Sequence, residues 1–587
     1  SGGGDRVAYR LGRPEQTGQL LTEREGRERD GRDGRRKAGY RQRATKAFPS
    51  HASTIRRIAS FVERLYAIAY DAVAQFEPGA LAAASRPSYH RRAALLYTSS
   101  IMAYDDLQDY MAALESKGLL RRVGVEVDPE LEITEIADRV MRQPGGGPAL
   151  LFEKVKGSPY PLLINAMGSE ERMAMAFGAS SLDEKAAEIE DLIAWAWKQL
   201  RGFNILKAVP EALPKLPVAL SLFPRRVSRP KCQELVSDEE GFSSLPVLKC
   251  WPLDGGRFLT LPLVCTRDPE TGVQNVGMYR MQVYDDRTAG MHWHLHKDGA
   301  HFFQKYQARG ERMPVAVALG CDPAVTYAST APLPEGVWEM LFAGFLRGKS
   351  AEITKATLSG LDVPADAEFI LEGYVDPSEV RVEGPFGDHT GFYSLEDEYP
   401  VFHLERITRR RSPVYPATIV GIPPKEDCWM AKATERLFLP LLKQLCPEIV
   451  DLSMPLEGVF HNCVIVSIKK RFPGQARKVM NFMWGMGQMM YTKLIVVVDD
   501  DVKPSDVSTV AWRAFNNIDA KRDLVFSDGP LDALDHSSPL PRYGTRLGID
   551  ATRKGPEEGH TRPWPSPLAM DEHIKSLVDG RWEQYGL

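Results

Sequence analysis

The sequence predicts a multidomain α+β protein, with an α/β segment, a strand-rich middle and a second α/β segment. Three observations predict it. The chain has 587 residues, too many for one hydrophobic core, so about two to four domains are expected at ~100–200 residues each. Short apolar runs alternate with helical periodicity over 123–225 and again from Cys428. Between Pro230 and Ile419 short apolar runs are interrupted by Gly, Pro and Asp, the pattern of a β-barrel or sandwich.

Composition excludes several classes. Hydrophobic residues make up 43% and charged residues 26%, as in ordinary soluble domains. A net charge of −4 gives no reason to expect nucleic acid as a partner or an anionic membrane. No apolar run is long enough to span a bilayer. The cysteines (232, 250, 265, 321, 428, 446 and 463) number seven and lack CxxC spacing. That argues against a zinc ribbon or disulfide framework and for a reducing, cytoplasmic setting.

In chain order, the first 50 residues hold 13 Lys or Arg against 7 Asp or Glu, a balance of +6, while the remainder carries −10. With almost no aromatic or β-branched residues, this stretch is expected to be a disordered or non-native extension. A basic nucleic-acid arm is the other reading. Ile55, Ile58, Phe61, Leu65, Ile68 and Phe76 fall near helical spacing. A linker follows, and Met102 is expected to open the native chain, leaving 1–101 as the extension.

From there Leu107, Met111, Leu114 and Leu119 recur at helical spacing, with Gly118 as the stop. The segment 102–225 reads as an α/β domain, with strands at Ala149–Phe152 and Pro161–Asn165 and helices at Leu131–Arg142 and Asp183–Leu200. The middle, 226–427, places strands at Phe258–Val264, Gly277–Val283, Gly290–Leu295, Val315–Leu319, Glu368–Tyr374 and Phe402–Ile407. In 428–587 the continuous apolar runs Cys463–Ile468 and Leu494–Val498 read as strands buried on both faces, with a helix Ala476–Met490 between them.

Two stretches carry chemistry. In Asn275–His296, NVGMYRMQVYDDRTAGMHWHLH, an apparent hairpin puts Asn275 and Arg280 on its first strand. On its second strand, period two would place His292, His294 and His296 on one face. Three imidazoles on one face suit a metal or an anion. Arg280 either snorkels to the surface or points inward to hold a carboxylate. In the second stretch, EGPFGDHTG at Glu383–Gly391, two acids flank a Gly/Pro turn. Burial and like charge are expected to leave one protonated near neutrality. Glu339, in the apolar WEMLFAG, is either an exposed helix residue or a ligand.

The runs NVGMYR, MHWHLHKDGA, WEMLFAGFLRG, LEGYV and EGPFGDHTGFY, with YTKLIVVVDDDV at 491–502 and LGIDATRKGP at 547–556, resemble the UbiD family of decarboxylases. The resemblance is collinear from Met102 to the C-terminus; residues 1–101 have no counterpart. It implies non-oxidative decarboxylation of an aromatic or α,β-unsaturated acid with prenylated FMN, made by a separate flavin prenyltransferase. It implies a split β-barrel, flavin reductase-like, as the cofactor domain in 226–427, and a C-terminal oligomerisation domain in 428–587. Asn275, His296 and Glu339 match the positions that hold Mn2+ (or Mg2+) against the cofactor phosphate, and K+ is a further candidate ion. Asn275, Met278, Tyr279, Arg280, His292, Trp293, His294, Lys297 and Asp298 match cofactor-contacting positions. Arg280, Glu383 and Asp388 match the catalytic network, with Asp388 as proton donor; some members carry Glu there, which reaches further.

The expected reaction is decarboxylation of 4-hydroxy-3-polyprenylbenzoate for ubiquinone, with a hydroxynaphthoate for menaquinone as the alternative and a plain FMN reductase as the second. The Met- and aromatic-rich Phe482–Tyr491 reads as core, as a subunit interface or as a channel for a prenyl tail. A homo-oligomer, dimer or hexamer, is expected. Location is expected to be cytoplasmic, with peripheral contact to the inner membrane for a prenylated substrate.

Overall fold

In the computed structural model, residues 104–201, 216–293, 298–334 and 336–587 are described. The expected helix at 54–76, the linker after it and the start at Met102 lie outside them, as do His294, His296 and Lys297.

Helix α1 (Leu107–Ser116) opens the described chain. Asp106 caps it by accepting from the Asp109 N–H, and Gly118 takes φ +72 just past its end, a conformation that glycine adopts without strain. β1 (Leu120–Val127), α2 (Glu132–Met141), β2 (Ala149–Val155) and β3 (Leu162–Ile164) follow. β1 and β2 are parallel, β2 and β3 antiparallel, and the later strand Tyr415–Ala417 adds to β3 in parallel. Helix α3 (Leu182–Arg201) packs against a helix of the C-terminal segment.

The middle of the chain forms a nine-stranded sheet. Its strands are β4 (Leu235–Ser237), β5 (Arg257–Leu259), β6 (Leu263–Arg267), β7 (Gln274–Met278), β8 (Met281–Val283), β9 (Thr288–Gly290), β10 (Met313–Leu319), β11 (Phe369–Glu383) and β12 (Asp397–Arg409). The order is β5-β8-β9-β12-β11-β10-β6-β7, with β4 paired to β12. β5 and β8 therefore lie at one end of the order, and β6 and β7 at the other. Yet only Thr260–Pro262 join β5 to β6, and only Tyr279 and Arg280 join β7 to β8. Three Cα steps reach at most ~11 Å, so the sheet has to curl until its two ends face each other. Covalent links cross the seam between them where ladder pairs would otherwise run. A curled sheet is what the structure shows of the expected barrel.

This topology corrects three expected elements. Phe258–Val264 is two strands at opposite ends of the sheet, because Pro262 cannot donate to a ladder. Gly277–Val283 likewise divides at the seam, so Asn275 and Arg280 do not share a strand, and the hairpin runs from β8 to β9 only. Past Gly290 the segment Met291–Trp293 is not a ladder strand; the Met291 N–H donates to Pro400 O. Of the three histidines expected on one face only His292 lies among the described residues. In contrast, β11 and β12 run far longer than expected. The DPSE segment after Val375 is a break in register inside one ladder, where the sequence suggests its end.

Helices α4 (Asp298–Arg309) and α5 (Glu339–Arg347) lie in the same segment, and Gly348 ends α5 in the left-handed region. α6 (Glu426–Leu445) then leads into a five-stranded sheet of β13 (Ile449–Ser453), β14 (Cys463–Ile468), β15 (Leu494–Asp499), β16 (Leu524–Pro530) and β17 (Tyr543–Asp550), ordered β13-β14-β15-β17-β16. β14, β15 and β17 are parallel neighbours, which explains the continuous apolar runs. The helical Ala476–Met490 resolves into α7 (Gln475–Trp484) and a separate short turn of helix at Gly487–Tyr491. Met480, Met483 and Trp484 are buried in the core of this sheet.

Candidate active site

The seam of the central sheet opens into a cavity of about 470 Å³. Both links contribute to its wall, Thr260 from one and Tyr279 and Arg280 from the other. A side chain on a two-residue link between sheet ends cannot reach solvent as it would from an edge strand. The Arg280 side chain is accordingly only 11% exposed.

Opposite Arg280 stands the tip of the β11–β12 hairpin, residues 384–396, with Glu383 as the last residue of β11. The tip is tied down at each turn. Gly384 N–H donates to Gln282 Oε1 at 2.7 Å and Gly387 N–H to Asp254 Oδ1 at 2.7 Å. A Cβ on Gly387 would stand 2.2 Å from the Trp251 ring, so the tip depends on a glycine there. Phe386 is buried and packs on Phe258 at 4.5 Å between centroids. The Arg280 guanidinium lies over the Phe386 ring at 4.7 Å.

Arg280 bridges the two acids. Its Nε donates to Glu383 Oε1 at 3.0 Å, its Nη1 to Asp388 Oδ2, and its Nη2 to Ser394 Oγ at 3.3 Å. His292 Nδ1 also meets Glu383 Oε1, at 2.7 Å, while Glu383 Oε2 is buried without a partner among the described residues. Asp388 Oδ1 accepts from the His389 backbone N–H at 2.7 Å and faces His389 Nδ1 at 2.9 Å. Burial alone pushes both acids up. For Glu383, His292 and Arg280 outweigh it and hold the carboxyl below the ordinary range. For Asp388, Arg280 and His389 do so more strongly and hold it far below. The expected proton near neutrality is therefore not on either acid. A guanidinium between two carboxylates cancels the like-charge repulsion that would have raised one of them.

Asn275 and Glu339 stand at another part of the same wall. Asn275, on β7, is buried, and its Nδ2 lacks a hydrogen-bond partner among the described residues. Glu339 is the first residue of α5, and its Oε2 accepts from the Val276 N–H at 2.8 Å. Burial pushes this carboxyl up to about 8 against that hydrogen bond and one from its own backbone. The oxygens of the Asn275 amide and the Glu339 carboxylate are the hard donors that a divalent cation takes, and a carboxyl raised by burial beside that amide fits such an ion. The third expected ligand, His296, is outside the described residues.

Met278, Tyr279, His292 and Asp298 also line the cavity. Trp293 does not, because its ring packs on Phe303 at 5.4 Å and over Gly299. Sequence reasoning missed Asp254, Ser394, Asp427, Phe460 and the Ser329–Pro334 loop. No spacing signals them, since each reaches the site through a long-range contact.

Three family models match, described as the N-terminal domain (residues 111–193), the Rift-related domain (225–423) and the C-terminal domain (428–551) of 3-octaprenyl-4-hydroxybenzoate carboxy-lyase. An uncharacterised Archaeoglobus fulgidus protein is 49% identical over 485 residues, which is 82% of this chain and 99% of that protein. Among solved structures, vanillic acid decarboxylase from Sedimentibacter hydroxybenzoicus in its closed form is 29% identical with a TM-score of 0.72, over 82% of this chain and 99% of that one. HmfF, a UbiD-class enzyme from Pelotomaculum thermopropionicum solved with FMN, is 28% identical with a TM-score of 0.65, over 79% and 97%. An evolved dimeric form of HmfF is solved with prFMN. By its domains, in order and over most of its length, the chain belongs to the UbiD family of carboxy-lyases.

Proposed function

We propose that this protein decarboxylates a 4-hydroxy-3-polyprenylbenzoate to the 2-polyprenylphenol without oxidation, using prenylated FMN. The observation that carries the chemistry is Arg280 held between Glu383 and Asp388 on the wall of the cavity. The family-model descriptions support the substrate class, and a hydroxynaphthoate is the alternative acid. Under this reading 226–427 is the cofactor domain, and 428–587 supports a homo-oligomer.

When bound, the prenylated flavin supplies the electron sink for the carbanion. Asn275 and Glu339, with His296, would hold a Mn2+ or Mg2+ ion that anchors the cofactor phosphate. The protein's own part is placement and proton handling. Arg280 receives the substrate carboxylate on its planar fork, which takes the guanidinium from Asp388 and sets a new negative charge beside it. Both changes raise the Asp388 pKa, so this acid takes up a proton on substrate binding although it is ionised in the free protein. Phe386, over the guanidinium, keeps water from that face. After CO2 leaves, Asp388 returns its proton to the same carbon, and Glu383, fixed by His292, holds Arg280 in register.

Co-expression with a flavin prenyltransferase tests this, followed by the spectrum and mass of the released cofactor and assays with 4-hydroxy-3-prenylbenzoate, a dihydroxynaphthoate and vanillate. Prenylated FMN and CO2 release from the first acid are the expected result. Turnover of another acid alone moves the substrate, and plain FMN under full loading withdraws the decarboxylase mechanism.

A further inference from the structure

Decarboxylation consumes one proton per turnover: the carboxylate leaves as CO2 and a C–H bond forms in place of the C–C bond. Asp388 is left as a carboxylate each time and has to be reloaded. Among the described residues its carboxylate meets the Arg280 guanidinium, the backbone N–H of His389 and the His389 ring. Neither a guanidinium nor an amide releases a proton near neutrality, whereas an imidazole does.

We propose that His389 is the residue that reloads Asp388, passing a proton from its Nδ1 to Asp388 Oδ1, the oxygen opposite the one held by Arg280. The O–H bond formed at Oδ1 replaces the N–H bond broken at Nδ1, which leaves His389 neutral with its remaining proton on Nε2, and Nδ1 then takes a proton from water to restore the imidazolium. This rests on the decarboxylase reading above.

The surroundings of His389 fit that task. Its ring stacks on Phe460 at 4.9 Å and meets the His461 ring edge-on at 5.3 Å. These two residues, just ahead of β14, fix its plane. Its Nε2 is buried and has no hydrogen-bond partner among the described residues, while the residue lines the cavity. The groups that face it are Asp388 on its own loop, Asp427 at the start of α6, His461 before β14, and Asp532 between β16 and β17. Burial lowers the His389 pKa, but these carboxylates, Asp388 first, outweigh it and raise it above the ordinary imidazole value. Burial first, and then the charge of His389, hold His461 down, at about 4, against the nearby carboxylates. The pair is thus split into one imidazole that keeps its proton and one that does not. Asp427, pushed up to about 6 by burial, offers a second proton-exchanging group on the cavity side.

The test uses holoenzyme loaded by co-expression and 4-hydroxy-3-prenylbenzoate as substrate. His389→Gln, which keeps a hydrogen bond to Asp388, is expected to lower kcat by about 10²-fold, with KM moved less than about threefold. The basic limb of the kcat–pH profile is expected to shift with it. A kcat within twofold of wild type, or a loss with an unchanged pH profile, overturns the proposal. If wild-type holoenzyme leaves that acid untouched, the substrate reading has failed, and titration of 15N-labelled histidines in cofactor-free protein decides alone. A His389 pKa that falls in Asp388→Asn supports the proposal, and one that does not move overturns it.

Discussion

The two ends of the cavity treat buried charge in opposite ways. Around Arg280 the chain completes its own electrostatics: each of two buried carboxylates has a guanidinium contact and an imidazole contact, and both are held below the ordinary range. Around Asn275 and Glu339 it does not. There one carboxyl has backbone hydrogen bonds alone, from Val276 and from its own backbone, and is pushed up to about 8 by burial, beside an amide nitrogen with no partner among the described residues. On the proposed reading one end receives an anion and moves a proton, and the other takes a cation. Six residues of chain, Asn275 to Arg280, serve both because they cross the seam of the curled sheet.

The contrast breaks most severely at Arg280. Arg280→Ala would leave two buried carboxylates without their cation, a loss of about 3–5 kcal/mol of stability, with no measurable decarboxylation. Its pH dependence should flatten. In the wild type the depressed acids contribute stability that is present above the ordinary carboxylate range and lost as pH falls through their folded values. Without Arg280 only His292 and His389 oppose burial, so the acids are held down less and the variant should lose less stability on acidification. Thermal melts between pH 4 and 8 compare the slopes, and parallel curves for the two proteins would end this account of the Arg280 end.

Asp388→Asn is next. It should lower kcat by about 10²–10⁴-fold with bound flavin unchanged, since this side chain stands at the Arg280 end. A variant that fails to load cofactor would show that the two ends are coupled. Glu339→Gln probes the other end. At ~100 times its Kd, Mn2+ should stabilise the wild type by about 2.7 kcal/mol and the variant not at all. In cation-free protein the sign runs the other way. The raised carboxyl contributes stability below its ordinary value that is lost as pH climbs through about 8, a decline the Gln variant lacks.

Much of this was legible in the sequence, and the reason differs between parts. The parallel strands Cys463–Ile468 and Leu494–Asp499 are buried on both faces, so their apolar runs are unbroken and their bounds were readable almost to the residue. The curled sheet was harder. Phe258–Val264 and Gly277–Val283 each read as one strand because the links that cross the seam are short and hold apolar residues. Pattern carries no information on which ends meet in space. Arg280, Glu383 and Asp388 were nameable because they stand in recognisable motifs, unlike Asp254 and Ser394. The charge state of the Glu383–Asp388 pair was not, because it depends on where the Arg280 fork points, and that follows from the seam.

The smallest test asks how much of the Arg280 end is charge and how much is placement. Ser394 Oγ accepts from Arg280 Nη2 at 3.3 Å and from the Phe386 N–H at 3.2 Å, linking the guanidinium to the hairpin tip. Neither contact adds a charge. Ser394→Ala should therefore cost about 1 kcal/mol of stability, the scale of one neutral hydrogen bond, and lower kcat only a few-fold, with the pH profile unmoved. A loss as deep as that of Asp388→Asn would mean that the angle of the fork, set by Ser394, controls proton transfer as firmly as the acids do. The contrast between the two ends would then be one of geometry before it is one of charge.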